Sequence, residues 1–122
     1  METQMEQTQH QIKADCMSNN ALAVRDALEI LSGKWKLPIL MVLSTGGKRF
    51  SEIANTLPGI TDRVLSKELK QLEATTLLEK RIIEDPQQRV EYLITEQGNG
   101  LDKVIKELST WGLKIRKNVM GS

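Results

Sequence analysis

The chain has 122 residues, 39% of them hydrophobic and 27% charged, which are the proportions of a globular domain with one core and exclude a fibre or a wholly disordered chain. Its net charge is only +1, so no uniformly basic surface announces a nucleic-acid partner, and its single cysteine excludes an internal disulfide and with it a secreted disulfide scaffold. The charge is unevenly spread: residues 1–32 carry two basic side chains against five acidic, residues 33–95 ten against eight, and residues 96–122 five against three.

Residues 1–19 are polar and Gln-rich, and read as a flexible arm ahead of one domain over residues 20–122. The arm has no apolar run of the signal-peptide kind, and no stretch approaches the ~20 apolar residues of a membrane span. A cytoplasmic protein with no membrane partner is expected.

Asn20 is placed to cap a first helix in which Leu22, Ala27, Leu28 and Leu31 recur at helical spacing and which Gly33 ends. A second helix is expected from Trp35 to Ser44, with Trp35, Ile39, Leu40 and Leu43 inward and Pro38 harmless in the first turn. Ser51 is positioned to cap a short third helix, Glu52 to Leu57, which Pro58-Gly59 must terminate. Thr61 then caps a fourth helix to about Thr75, with Leu65, Leu69 and Leu72 on its inner face. After Leu77 the period changes to two. Residues 78–83 and 90–94 read as paired strands joined by a polar loop containing Pro86. Thr95 caps one long final helix with Leu101, Val104, Ile105, Leu108, Trp111, Ile115 and Val119 on an apolar stripe. The expected fold is mainly α with a small β-hairpin wing (α+β), a winged helix-turn-helix.

Function is concentrated in the short helix, Pro-Gly turn, second helix and hairpin. Such a turn holds the second helix steeply enough for its N-terminal half to enter a DNA major groove. With the leucines inward, the outer face presents Thr61, Asp62, Arg63, Ser66, Lys67 and Lys70. Arg63 suits a bidentate contact to guanine, and Lys67, Lys70 and the hydroxyls of Ser51 and Thr61 suit phosphates or base edges. Free N–H groups at the two helix N-termini favour phosphate as well. Gln87, Gln88 and Arg89 at the hairpin tip fit an adjacent minor groove. The stripe on the final helix exceeds what so small a core requires, so Leu101, Val104, Ile105, Leu108, Trp111 and Ile115 are expected to form a two-fold dimer interface.

The segments Gly33-Lys34-Trp35-Lys36, Arg49-Phe50-Ser51-Glu52-Ile53, Leu57-Pro58-Gly59-Ile60-Thr61, Arg63-Val64-Leu65, Leu69-Lys70-Gln71-Leu72-Glu73 and Arg89-Val90-Glu91-Tyr92-Leu93-Ile94-Thr95, followed by Gly98, resemble the HxlR-type transcriptional regulators from about Leu22 to Trp111. That resemblance implies a bacterial winged-helix protein binding double-stranded DNA as a homodimer on an inverted repeat, repressing or activating nearby genes. The terminal helices of the family build the dimer, which implies that Leu22 and Leu28 of the first helix join the interface here, and some members respond to oxidants or electrophiles through an N-terminal cysteine. Three departures stand out. Leu22 occupies the position of the family's usual cysteine, six residues after Cys16; Thr76 replaces a glycine common before the first wing strand; and Gln87-Gln88 stand where a proline is frequent.

An enzyme is not expected, since His10 lies in the arm and no base, zinc set, phosphate loop or dinucleotide fingerprint accompanies it. No cofactor or metal is implied, and no small-molecule effector is named by these patterns. Cys16 is either a free thiol or a redox sensor; Asp15 beside it opposes thiolate formation, and Lys13 is the only close cation. The competing function is a winged-helix protein–protein adaptor that does not touch DNA, favoured by the near-neutral charge.

Overall fold

The computed structural model describes residues 18–84 and 87–119 and divides into two units, residues 1–32 and 33–122. In the first unit the described part of helix α1 covers residues 18–30, so Asn20 lies within the helix and is not its cap. All of its residues are exposed, including Leu22, Val24, Leu28 and Ile30. At 100° per residue, Val24, Ala27, Leu28 and Leu31 fall within about 100° of one another. Leu22 lies nearly opposite them. Val24 thus shares the face of Ala27, Leu28 and Leu31, and Leu22 stands apart from it.

The second unit contains α2 (Lys36–Leu43), α3 (Phe50–Thr56), α4 (Asp62–Ala74), β1 (Leu78–Ile83), β2 (Arg89–Ile94), α5 (Glu96–Asn99) and α6 (Asp102–Val119). Helix α2 is apolar nearly all round, as a central helix must be, and Ile39, Leu40 and Leu43 are fully buried. Trp35, expected inside this helix, is its N-cap residue and only half-buried. Around α2 gather Ile53 of α3, Leu65, Leu69 and Leu72 of α4, Leu77 and Leu78. Those nine apolar side chains are the core.

Local chemistry explains the element ends. Helix α3 starts one residue before Ser51, so Ser51 is not its cap; the N-cap is Arg49, whose N–H donates to Glu52 Oε1 at 2.9 Å. Glu52 reaches back from the third helical position to satisfy that donor, which a serine one turn further on could not do. Leu57 to Ile60 form a turn closed by Ile60 N–H to Leu57 O at 3.3 Å, with Gly59 at φ +87° in the third position of a type II turn. Thr61 Oγ1 accepts from Val64 N–H at 3.1 Å and caps α4 as expected. At the other end of α4, Leu77 N–H donates to Leu72 O and Thr76 N–H to Glu73 O, each at 3.0 Å. This is a Schellman closure, with Thr76 in the left-handed conformation at φ +64°.

Strands β1 and β2 pair antiparallel from Leu78↔Ile94 to Ile83↔Arg89. A rung from Lys48 to Tyr92, with N–H···O distances of 3.0 and 2.8 Å, adds a third short strand segment beside β2. Thr95 does not cap one long helix. It caps the four-residue α5, accepting from Gly98 N–H at 3.1 Å, and α6 begins separately at Asp102. Gly98, Asn99 and Gly100 are poor helix formers, and Gly98 is pressed against the chain at Leu77, which fixes this first turn in place ahead of α6. No residue of α6 is buried.

Candidate nucleic-acid interface

Helices α3 and α4, joined by the Leu57–Ile60 turn, make the helix-turn-helix, and the β1–β2 hairpin follows at once. Leu65, Leu69 and Leu72 all face the core, so the opposite side of α4 is fixed by helix geometry. On that side Arg63, Lys67 and Lys70 are exposed, and none makes an ion pair or hydrogen bond with a described residue. At 100° per residue the three cations fall within about 60° of one another. Ser66 flanks them, half-buried. Thr61 and Asp62 are exposed at the start of the helix, where the Thr61 hydroxyl is engaged as a cap and Asp62 lies at the positive end of the helix dipole.

Other expected side chains are less free or lie elsewhere. Ser51 is exposed in the first turn of α3, on the other helix of the motif. Gln87 and Gln88 are exposed just before β2. Arg89 belongs to β2 itself, not to the tip, and its Nε lies 3.6 Å from Glu91 Oε1 with no hydrogen-bond partner. Arg81 pairs in the same manner with Glu79 at 3.2 Å. Both wing arginines thus carry a local counter-charge that DNA phosphates would have to displace. The opposite wing face carries the cross-strand pair Ile82–Val90, exposed, beside Lys80 stacked over Tyr92 at 5.9 Å. Cys16, His10 and Lys13 lie outside the described residues.

One feature was absent from the sequence reading. Lys36 Nζ lies 2.5 Å from Glu68 Oε2, with the two residues only 5% and 9% exposed. A signal existed: Glu68 follows Leu65 by three and precedes Leu69, so a carboxylate stands on the apolar stripe of α4, where it needs a partner.

The family model for the HxlR-like helix-turn-helix matches residues 30–120. The chain belongs to the HxlR-like family of helix-turn-helix proteins. It is 34% identical over 100 residues to the HTH-type transcriptional regulator YtcD of Bacillus subtilis, covering 82% of this chain and 79% of YtcD. Among solved structures it is similar to the redox regulator HypR in its reduced form, with TM-score 0.75 and 30% identity over 82% of this chain and 99% of that one. The reduced form of the transcriptional regulator YodB from B. subtilis gives TM-score 0.70 and 31% identity over 80% and 93% of the two chains. This HxlR-like protein is accordingly a DNA-binding transcriptional regulator with a winged-helix fold, and the adaptor alternative has no support. Among its described residues no helix is long and apolar enough to cross a membrane.

Proposed function

We propose that two copies of this regulator bind an inverted-repeat operator, each inserting the N-terminal half of α4 into a major groove and resting its wing near the flanking minor groove. The observation that carries this reading is the stripe of Arg63, Lys67 and Lys70, unpaired among the described residues, on the face of α4 turned away from the core. Arg63, in the first turn, reads a guanine edge; Lys67 and Lys70 with Ser66 and Thr61 hold base edges or phosphates, and Ser51 and Gln87–Arg89 contact the backbone and minor groove. Asp62 borders the same contact surface at the start of α4. Leu22 and Leu28 in the first unit, and Leu101, Val104, Ile105, Leu108, Trp111 and Ile115 in the second, supply dimer contacts. The protein acts in the cytoplasm, catalyses no reaction and uses no cofactor.

A mobility-shift titration on an operator selected from random DNA tests the assignment. Affinity falls steeply with salt, as release of phosphate counterions requires. Arg63→Ala costs about 1–3 kcal/mol and relaxes preference at one base pair, whereas Lys70→Ala weakens all sequences alike and lowers the salt slope by about one. Equal losses for the two variants would overturn their roles.

The similarity to YodB and HypR, solved in reduced and in oxidised, quinone-bound or diamide-treated forms, supports a response to oxidants or electrophiles here as well. The only thiol available for it is Cys16. In Cys16→Ser, DNA binding becomes indifferent to diamide and quinone; a variant that keeps the full wild-type response would remove the thiol from the mechanism.

A further inference from the structure

The Lys36–Glu68 ion pair joins the first residue of α2 to the seventh residue of α4, between two side chains that are almost wholly buried. It is the only ion pair with both partners buried among the described residues. From this pair we infer that Lys36 and Glu68 are positioning residues for DNA recognition: they fix the rotation of α4 about its own axis and so aim its outer face. The inference rests on the reading of α4 as the helix that enters the groove.

Apart from this pair, α4 meets the core through Leu65, Leu69 and Leu72. Leucine contacts are non-directional, so by themselves they specify the rotation of a helix less sharply than a short ion pair does. The ion pair is directional and short. It also sits on the correct side of the helix. At 100° per residue, Glu68 lies about 140° from Arg63 and about 160° from Ser66 and Lys70, so it holds the back of α4 while those residues face outward. The other end of the link is rigid, because Ile39, Leu40 and Leu43 of α2 are fully buried. A roll of about 20° would carry the tip of a long side chain, about 8 Å from the helix axis, through roughly 3 Å, whereas a productive contact tolerates about 0.5 Å. Stability alone gives no reason for the pair, since buried ion pairs replaced by apolar side chains of similar volume commonly leave a protein as stable or more so.

The test compares binding to the selected operator with binding to a scrambled duplex at one salt concentration. Lys36→Met/Glu68→Gln keeps both side-chain volumes and the net charge, so phosphate attraction is unchanged and only the aim of α4 is altered. The expected result is a melting temperature near wild type, unchanged affinity for scrambled DNA and at least a tenfold fall in the operator-to-scrambled ratio. Lys36→Met/Glu68→Leu, which leaves no polar group on α4 at that point, is the second variant should the first fail to fold, and it is expected to lose the ratio equally. A folded variant of either kind that keeps the wild-type ratio overturns the inference. A wild-type protein that enriches no sequence from the random pool overturns the reading of α4, and this inference with it.

Discussion

Thr76 and Gly98 show how single residues set the junction between recognition helix and wing. Thr76 is β-branched yet sits at φ +64°, a conformation that costs a non-glycine residue about 1–2 kcal/mol. The Schellman closure of α4 demands it, and glycine would adopt it without a Cβ penalty. Thr76→Gly should therefore raise stability by about 0.5–1 kcal/mol after the added chain entropy of glycine is counted. Gly98 presents the opposite case. A Cβ there would overlap the Leu77 carbonyl oxygen and approach Ile94 Cγ1 to 2.6 Å, and neither the backbone nor the packed strand can give way cheaply. Gly98→Ala is expected to cost about 2–4 kcal/mol, in the range of overpacking and strain combined. Urea denaturation of the two variants checks both signs. A stable Gly98→Ala protein would mean that the α5 turn can lift away from Leu77. Thr95 ties the same junction, donating from Oγ1 to Thr76 O at 2.6 Å while capping α5.

At the level of elements, residue type alone does not decide what the hairpin reads. Arg89 fits a minor groove on chemistry, but the register places it opposite Ile83 in the strand, with Glu91 two residues along the same face holding its charge. A carboxylate at that distance subtracts from the attraction to phosphate. Glu91→Gln is expected to raise operator affinity about two- to tenfold at low salt, through one extra phosphate contact. Loss of any acidic residue favours DNA to some degree, so the decisive measurement is a double-mutant cycle: in an Arg89→Ala background the gain should largely disappear. A gain of the same size in both backgrounds would show that Arg89 never reaches the duplex. Helix α4 needs no such release, because its cations carry no counter-charge from the described residues.

The assembly question turns on α6. It has 18 residues and none is buried, yet Val104, Leu108 and Trp111 lie within about 60° of each other on an ideal helix. Trp111 is 62% exposed, and the proposed dimer would cover this stripe. Leu113, missed in the sequence stripe, is exposed on a different flank of the helix and has no assigned role. Leu108→Gln/Trp111→Gln should turn a dimer into a monomer in sedimentation velocity with the core intact. Its affinity for the full inverted repeat should then fall about 10²-fold or more, towards that of a half-site, as the second contact ceases to be intramolecular. A variant that remains dimeric would move the interface off this stripe.

The amino-acid order alone specified the succession of elements as far as β2, the Pro58-Gly59 turn, the Thr61 cap and the outward stripe of Arg63, Lys67 and Lys70. Each depends on spacing within about one helix or one turn, and such spacing is written directly in the chain. The motif set added the family, which the matching models and structures bear out. Packing settled the rest. The Arg49 start of α3 depends on Glu52 reaching back to it, and the break between α5 and α6 depends on Gly98 meeting Leu77, neither of which local propensity reveals. The Lys36–Glu68 pair spans 32 residues of chain. A contact of that separation exists only once α2 and α4 have docked, because burial is what gives the two charges a reason to find each other.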